Sequence, residues 1–87
     1  MDFTDNLLDN KLNQLLEKYI DKPWNWNEIS DNPNITMEFI EKYIDKPLNW
    51  DYISYNSNIT IEFIEKYIDK NWDWDTLSIN LFKKLSL

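Results

Sequence analysis

Apolar and polar positions alternate along this chain with a helical period, in short bursts separated by Asn- and Pro-containing breaks. Across Thr36–Asp45, the residues Met37, Phe39, Ile40, Tyr43 and Ile44 share one side of a helix at about 100° per residue. Glu38, Glu41, Lys42 and Asp45 share the other side. Thr36 is placed to cap this helix, because its hydroxyl can accept a hydrogen bond from a first-turn N–H. Glu38 with Lys42, and Glu62 with Lys66, stand four apart and predict surface pairs worth a few tenths of a kcal/mol at most. Pro47 is expected to end the helix, since the residue before a proline is driven out of the α region. A second, shorter helix begins after Asn25, Asn49 or Asp73, each an N-cap candidate, and runs through Ile29-Ser30 or their equivalents. It stops near Asn32, Asn56 and Asn80. With no Gly in the chain, these asparagines are candidates for a left-handed position past the helix end; a stacked row bonding to neighbouring turns is the other reading.

The pattern repeats. Glu17-Lys18-Tyr19-Ile20-Asp21-Lys22-Pro23 returns at Glu41–Pro47 and again at Glu65–Asn71, 24 residues apart each time. In the same register stand Trp26, Trp50 and Trp74; Ile29, Ile53 and Leu77; Ser30, Ser54 and Ser78; and Asn32, Asn56 and Asn80. Isolated helices shorter than roughly 12–15 residues are marginal in water, so such units must be stabilised by stacking. The expected fold is therefore all-α: a short α-solenoid of 24-residue helix-turn-helix repeats with degenerate capping helices at both ends. Residues 1–22 form the N-terminal cap, 23–46 and 47–70 the full repeats, and 71–87 a partial repeat and C-terminal cap. The first helix is expected over about 5–21, with a break near Asn10 as an alternative, and the last from Trp74 to about Leu85. The expected core is Trp26, Trp50, Trp74, Tyr19, Tyr43, Tyr67, Ile20, Ile44, Ile68, Phe39, Phe63, Ile40, Ile64, Ile29, Ile53 and Leu77. At roughly 1.5–3 kcal/mol for each large side chain buried, the Trp26, Trp50, Trp74 row is expected to dominate. Trp24, Leu48 and Trp72 are read as further core.

Composition narrows the possibilities. An apolar content of 43%, with 16% aromatic, supports one packed domain in 87 residues and is too high for a disordered tail. No apolar run approaches a membrane span, and the acidic start, Met1-Asp2-Phe3-Thr4-Asp5, lacks the apolar core of a secretory signal. With no Cys there is no disulfide framework, and a cytoplasmic location is expected. A net charge of −7 with no Arg argues against a phosphate backbone as partner. The lack of Gly, Ala and Val beside abundant Asn, Ile, Lys, Tyr and Phe reads as the codon usage of an AT-rich genome.

The strings Asp31-Asn32-Pro33-Asn34-Ile35-Thr36 and Asp21-Lys22-Pro23-Trp24-Asn25-Trp26 resemble those of the tryptophan-repeat proteins of giant amoeba viruses and insect poxviruses. The likeness covers about residues 15–80. It implies a viral protein of the host cytoplasm and carries no activity. The chain departs from that pattern at Leu48, Ser57 and Asn71.

No catalytic set emerges. The Glu17, Glu41, Glu65 and Lys18, Lys42, Lys66 rows read as a surface charge lattice, not as acid–base pairs. Serine without a base is no nucleophile, and Asp73 and Asp75 read as helix caps in the absence of a third metal ligand. The Trp pairs read as core and not as an aromatic cage or base-stacking platform. Asn34-Ile35-Thr36 and Asn58-Ile59-Thr60 match the glycosylation sequon and are expected to be unmodified. No enzyme, cofactor, metal, nucleic acid or membrane is therefore expected. Positions that differ between units are the candidates for recognition: Glu28, Tyr52 and Thr76; Asp31, Tyr55 and Ile79; Pro33, Ser57 and Leu81. Tyr52, Tyr55, Glu28 and Asp31 are the candidate partner-binding residues, with Tyr52 and Tyr55 foremost. The expected function is a protein-interaction module with an unknown partner. The alternatives are self-assembly through the ends and an acidic decoy that mimics nucleic acid.

Overall fold

Short apolar faces and polar caps divide the chain into helices, and the computed structural model describes them over residues 11–85, with side chains to Lys83. Residues 11–18 form α1. It is followed by α2 (Trp26–Asp31), α3 (Met37–Lys42), α4 (Trp50–Tyr55), α5 (Ile61–Lys66) and α6 (Trp74–Leu85). The described residues are all helix and turn, with no strand. None of these helices is long and apolar enough to cross a membrane. The start expected near residue 5 and the alternative break at Asn10 lie outside the described residues.

The caps follow the sequence closely. Asn25 and Asn49 accept from the backbone N–H of Glu28 and Tyr52, and Thr36 and Thr60 accept from those of Phe39 and Phe63. Each satisfies a first-turn donor that a six-residue helix could not otherwise bond. Asp73 caps α6, receiving Thr76 N–H at 3.3 Å and the Thr76 hydroxyl at 3.0 Å. Without the Pro and Thr that interrupt earlier units, α6 runs on to Leu85.

Helix ends correct two expectations. Helices α3 and α5 stop at Lys42 and Lys66, with Tyr43 and Tyr67 leaving the helical region at φ −112° and −118°. Both end in the same register although Pro47 follows one and Asn71 the other, so proline is not the terminator. A tight turn replaces it, with Lys46 N–H on Tyr43 O and Lys70 N–H on Tyr67 O, each at 3.0 Å. Nor do the asparagines adopt a left-handed conformation: no described residue has positive φ. Asn56 instead donates its amide to Ile35 O at 2.9 Å, and Asn80 donates to Ser54 O and Asn56 O. The row-of-Asn reading holds for these two.

Helices α2, α4 and α6 are successive neighbours in one row. The odd-numbered helices are linked by Lys42–Glu17 and Lys66–Glu41 ion pairs. In the core Ile40, Ile53, Ile59 and Leu77 are fully enclosed.

The core departs from the expected tryptophan row. Trp26 is buried and Trp50 partly so, but Trp74 is 55% exposed. An aromatic ring packs on each of the first two indoles: Tyr43 lies 5.8 Å from Trp26, and Trp72 lies 4.9 Å from Trp50. Ile68 is likewise 50% exposed, whereas Ile20 and Ile44 pack against the core. Tyr19 is also 43% exposed. In the other register, read as further core, Leu48 and Trp72 are both buried. Trp24 and Trp72 also donate their indole N–H to Tyr19 O and Tyr67 O at 2.8 and 2.9 Å, which Leu48 cannot do.

Candidate functional site

Asp31, Tyr52 and Tyr55 meet around a cleft of about 150 Å³ between neighbouring units. The end of α2 and its following turn supply Ser30, Asp31, Asn32 and Pro33; α4 and its following turn supply Tyr52, Tyr55, Asn56 and Ser57. Its geometry is set by a serine tie. Ser30 Oγ donates to Trp26 O at 2.6 Å and accepts from Asn49 N–H at 2.9 Å, so one hydroxyl joins the backbone of α2 to the cap of α4. Asn49 Nδ2 also donates to Asn27 Oδ1 at 3.1 Å, while Asn49 Oδ1 receives Tyr52 N–H at 3.0 Å. With its first turn held from both sides, α4 projects Tyr52 and Tyr55 from one face, three residues apart. Tyr55 is 68% exposed and Tyr52 37%.

The cleft therefore offers two phenol rings, the Ser57 hydroxyl and the Asp31 carboxylate. It is smaller than the roughly 300–1,000 Å³ typical of small-molecule sites, and suits a single inserted side chain. Among the described residues no group of three His, Cys, Asp or Glu side chains is close enough to hold a metal ion.

Elsewhere the charges are paired across units. Lys42 bonds Glu17 and Lys66 bonds Glu41, in place of the expected pairing with Glu38 and Glu62 along each helix. Tyr67 Oη also donates to Glu41 Oε2 at 2.9 Å. The Lys66 hydrogen bond, and then that of Tyr67, hold the Glu41 carboxyl below the ordinary glutamate range. Lys42 and Lys66 are raised by their glutamates, and the Tyr67 phenol is raised by the carboxylate that it faces. Lys18, Lys42 and Lys66 each lie 5.6–5.7 Å over the ring of the tyrosine that follows, adding weak cation–π attraction.

Of the candidate residues, Asp31, Tyr52 and Tyr55 come together, while Glu28 is exposed outside the cleft. Thr76, aligned with Glu28 and Tyr52, is not a display position: it is buried and committed to the Asp73 cap. Sequence comparison missed Ser30 and Asn56 as lining residues, although their recurrence every 24 residues signalled a structural duty there. The chain matches no family model, no curated protein and no solved structure.

Proposed function

We propose that this chain is a non-enzymatic interaction module, a short helical-repeat solenoid presenting the Tyr52–Tyr55 cleft to a protein partner. One observation carries the reading: Asp31, Pro33, Tyr52, Tyr55 and Ser57, all at positions that differ between units, surround a single cleft. Residues that coincide between units are committed instead to ties. Ser30 and Ser54 receive Asn49 N–H and Asp73 N–H across the same spacing, and Glu17 and Glu41 receive Lys42 and Lys66. Such nearest-neighbour contacts support the solenoid reading. Tyrosines are favoured at interfaces because a large ring is immobilised at low entropic cost and still carries a polar tip. A basic side chain entering between the rings would meet Asp31. The likeness to viral tryptophan-repeat proteins makes host cytoplasm the proposed setting.

Quantitative affinity capture from host-cell lysate tests this. The Tyr52→Ala/Tyr55→Ala double variant should keep its helical circular dichroism and lose about tenfold or more of partner enrichment. Undiminished enrichment would sink the reading.

Self-assembly through the ends is the second reading, favoured by Ile68, Trp74, Ile79 and Phe82, which are all exposed in the C-terminal part of the chain. Light scattering over a concentration series tests it, and a constant monomer mass at the highest concentration would remove it.

A further inference from the structure

A second, larger cavity of about 220 Å³ lies at the N-terminal end, walled by Leu16, Trp24, Ile35 and Phe39 and rimmed by Asn32 and Asn34. It shares only Asn32 with the tyrosine cleft. The molecule contains an occupied counterpart 24 residues further on. There Asn56 and Asn58, aligned with Asn32 and Asn34, both donate their side-chain amides to the carbonyl of Ile35, at 2.9 and 3.1 Å. That carbonyl belongs to the segment Asn34-Ile35-Thr36, which is extended at Thr36 (φ −98°, ψ 164°) and has its isoleucine buried. The two pairs are otherwise built alike: Asn32 Oδ1 receives Asn34 N–H at 2.9 Å, and Asn56 Oδ1 receives Asn58 N–H at 2.8 Å.

The N-terminal pair differs in one respect. Among the described residues nothing accepts from the side-chain amides of Asn32 or Asn34. In the repeat register, the carbonyl that they would hold belongs to residue 11, which here is part of helix α1. Asn32 is accordingly only half-buried where Asn56 is enclosed.

We infer that the Asn32–Asn34 pair and the cavity beside it form a binding site for an extended peptide segment with an aliphatic side chain. The two amides would hold a backbone carbonyl of that segment, and Leu16, Trp24, Ile35 and Phe39 would enclose its side chain. The ligand chemistry is read from the chain itself, whose Asn34-Ile35-Thr36 segment presents its carbonyl to the equivalent amide pair one unit along. The cavity holds one aliphatic side chain and its backbone, well short of the roughly 300–1,000 Å³ of a drug-sized site.

The test is a titration of the full isotope-labelled chain with a capped peptide having the sequence of residues 31–37. Side-chain amide resonances of Asn32 and Asn34 and the methyls of Leu16 are followed by NMR. Saturable shifts confined to these groups and their neighbours are expected. Asn34→Asp keeps the shape and the backbone bond to Asn32 but removes the donor, and should weaken binding about tenfold, the equivalent of one lost hydrogen bond. Ile35→Asp in the peptide, with the protein unaltered, should weaken it at least as much; this arm does not depend on folding of a variant. No shift at millimolar peptide, or affinity indifferent to both substitutions, would overturn the proposal. So would concentration-dependent shifts of Asn32 and Asn34 in the peptide-free chain, which would assign the cavity to a second copy.

Discussion

Two junctions in this molecule are built from the same words and say different things. At the first, Glu17, Lys42, Tyr43 and Trp26 meet; at the second, Glu41, Lys66, Tyr67 and Trp50 occupy the same positions one unit on. Both have the lysine–glutamate bond. At the second, Tyr67 is partly buried and its hydroxyl donates to Glu41. At the first, Tyr43 is buried against Trp26 and its hydroxyl has no partner among the described residues. The cause is two residues beyond the shared motif. Position 72 is Trp, whose ring packs edge-on against Trp50, whereas position 48 is Leu and leaves Trp26 to pack on Tyr43. One substitution thus decides which aromatic ring is enclosed and whether a phenol reaches its carboxylate. Burial in a repeat belongs to the neighbour as much as to the residue.

The comparison can be broken most severely at Trp72. Trp72→Ala empties a site only 4% exposed and should cost about 3–5 kcal/mol, a large share of the stability of so small a domain. Trp74→Ala, two residues along, should cost less than about 1 kcal/mol because that ring faces solvent. Urea titrations of the two variants check the contrast, and equal midpoints would refute the assignment of core. Leu48→Trp should convert the first junction into the second. The new indole N–H finds Tyr43 O, as in the flanking units, for a gain of about 1 kcal/mol, and its resonance should be protected from exchange with solvent. A loss of stability would show that the space at 48 is not the space at 72. A finer probe is Tyr43→Phe, which removes a buried unsatisfied hydroxyl and should be neutral or stabilising by about 1 kcal/mol. Tyr67→Phe should lower the melting temperature, since it breaks the bond to Glu41.

The smallest effect is that of pH. Glu41 is held below its ordinary range, so its contribution is present above the unfolded value, about pH 4.3, and is lost as pH falls through the lower folded value. Lys66 and Tyr67 are raised, so theirs are present below about pH 10 and lost as pH rises through their folded values. Melting temperature should decline gently at both extremes, and Glu41→Gln should flatten both limbs.

Much of this was legible in the chain. Short polar side chains ahead of apolar stripes located the caps at Asn25, Thr36, Asn49 and Thr60, because capping is a local bond between residues three apart. The loss of Pro and Thr after Asn80 foretold the long last helix. What could not be read concerns contacts across units. Periodicity assigns Trp74 and Trp26 to the same helix face, yet Tyr43 packs on Trp26 while Trp74 is left exposed. The pairing of Glu38 with Lys42 followed from helix geometry alone, and Lys42 is drawn to Glu17 on the adjacent helix. The cleft shares this origin: Asp31 and Tyr55 align as equivalents in sequence, but they face a common space only because consecutive units lie side by side.

Apart from the short Trp24–Tyr19 and Trp72–Tyr67 bonds, the polar side-chain links between units span 19 to 26 residues, from Asn49 to Ser30 at one extreme to Tyr67 with Glu41 at the other. Every unit is thus informed about its immediate neighbour and about nothing beyond. A gene that gained or lost one 24-residue copy in the interior would meet the same serine hydroxyls and glutamates on either side. The length of such a protein becomes an inheritable variable, free to change in whole steps without any joint being redesigned.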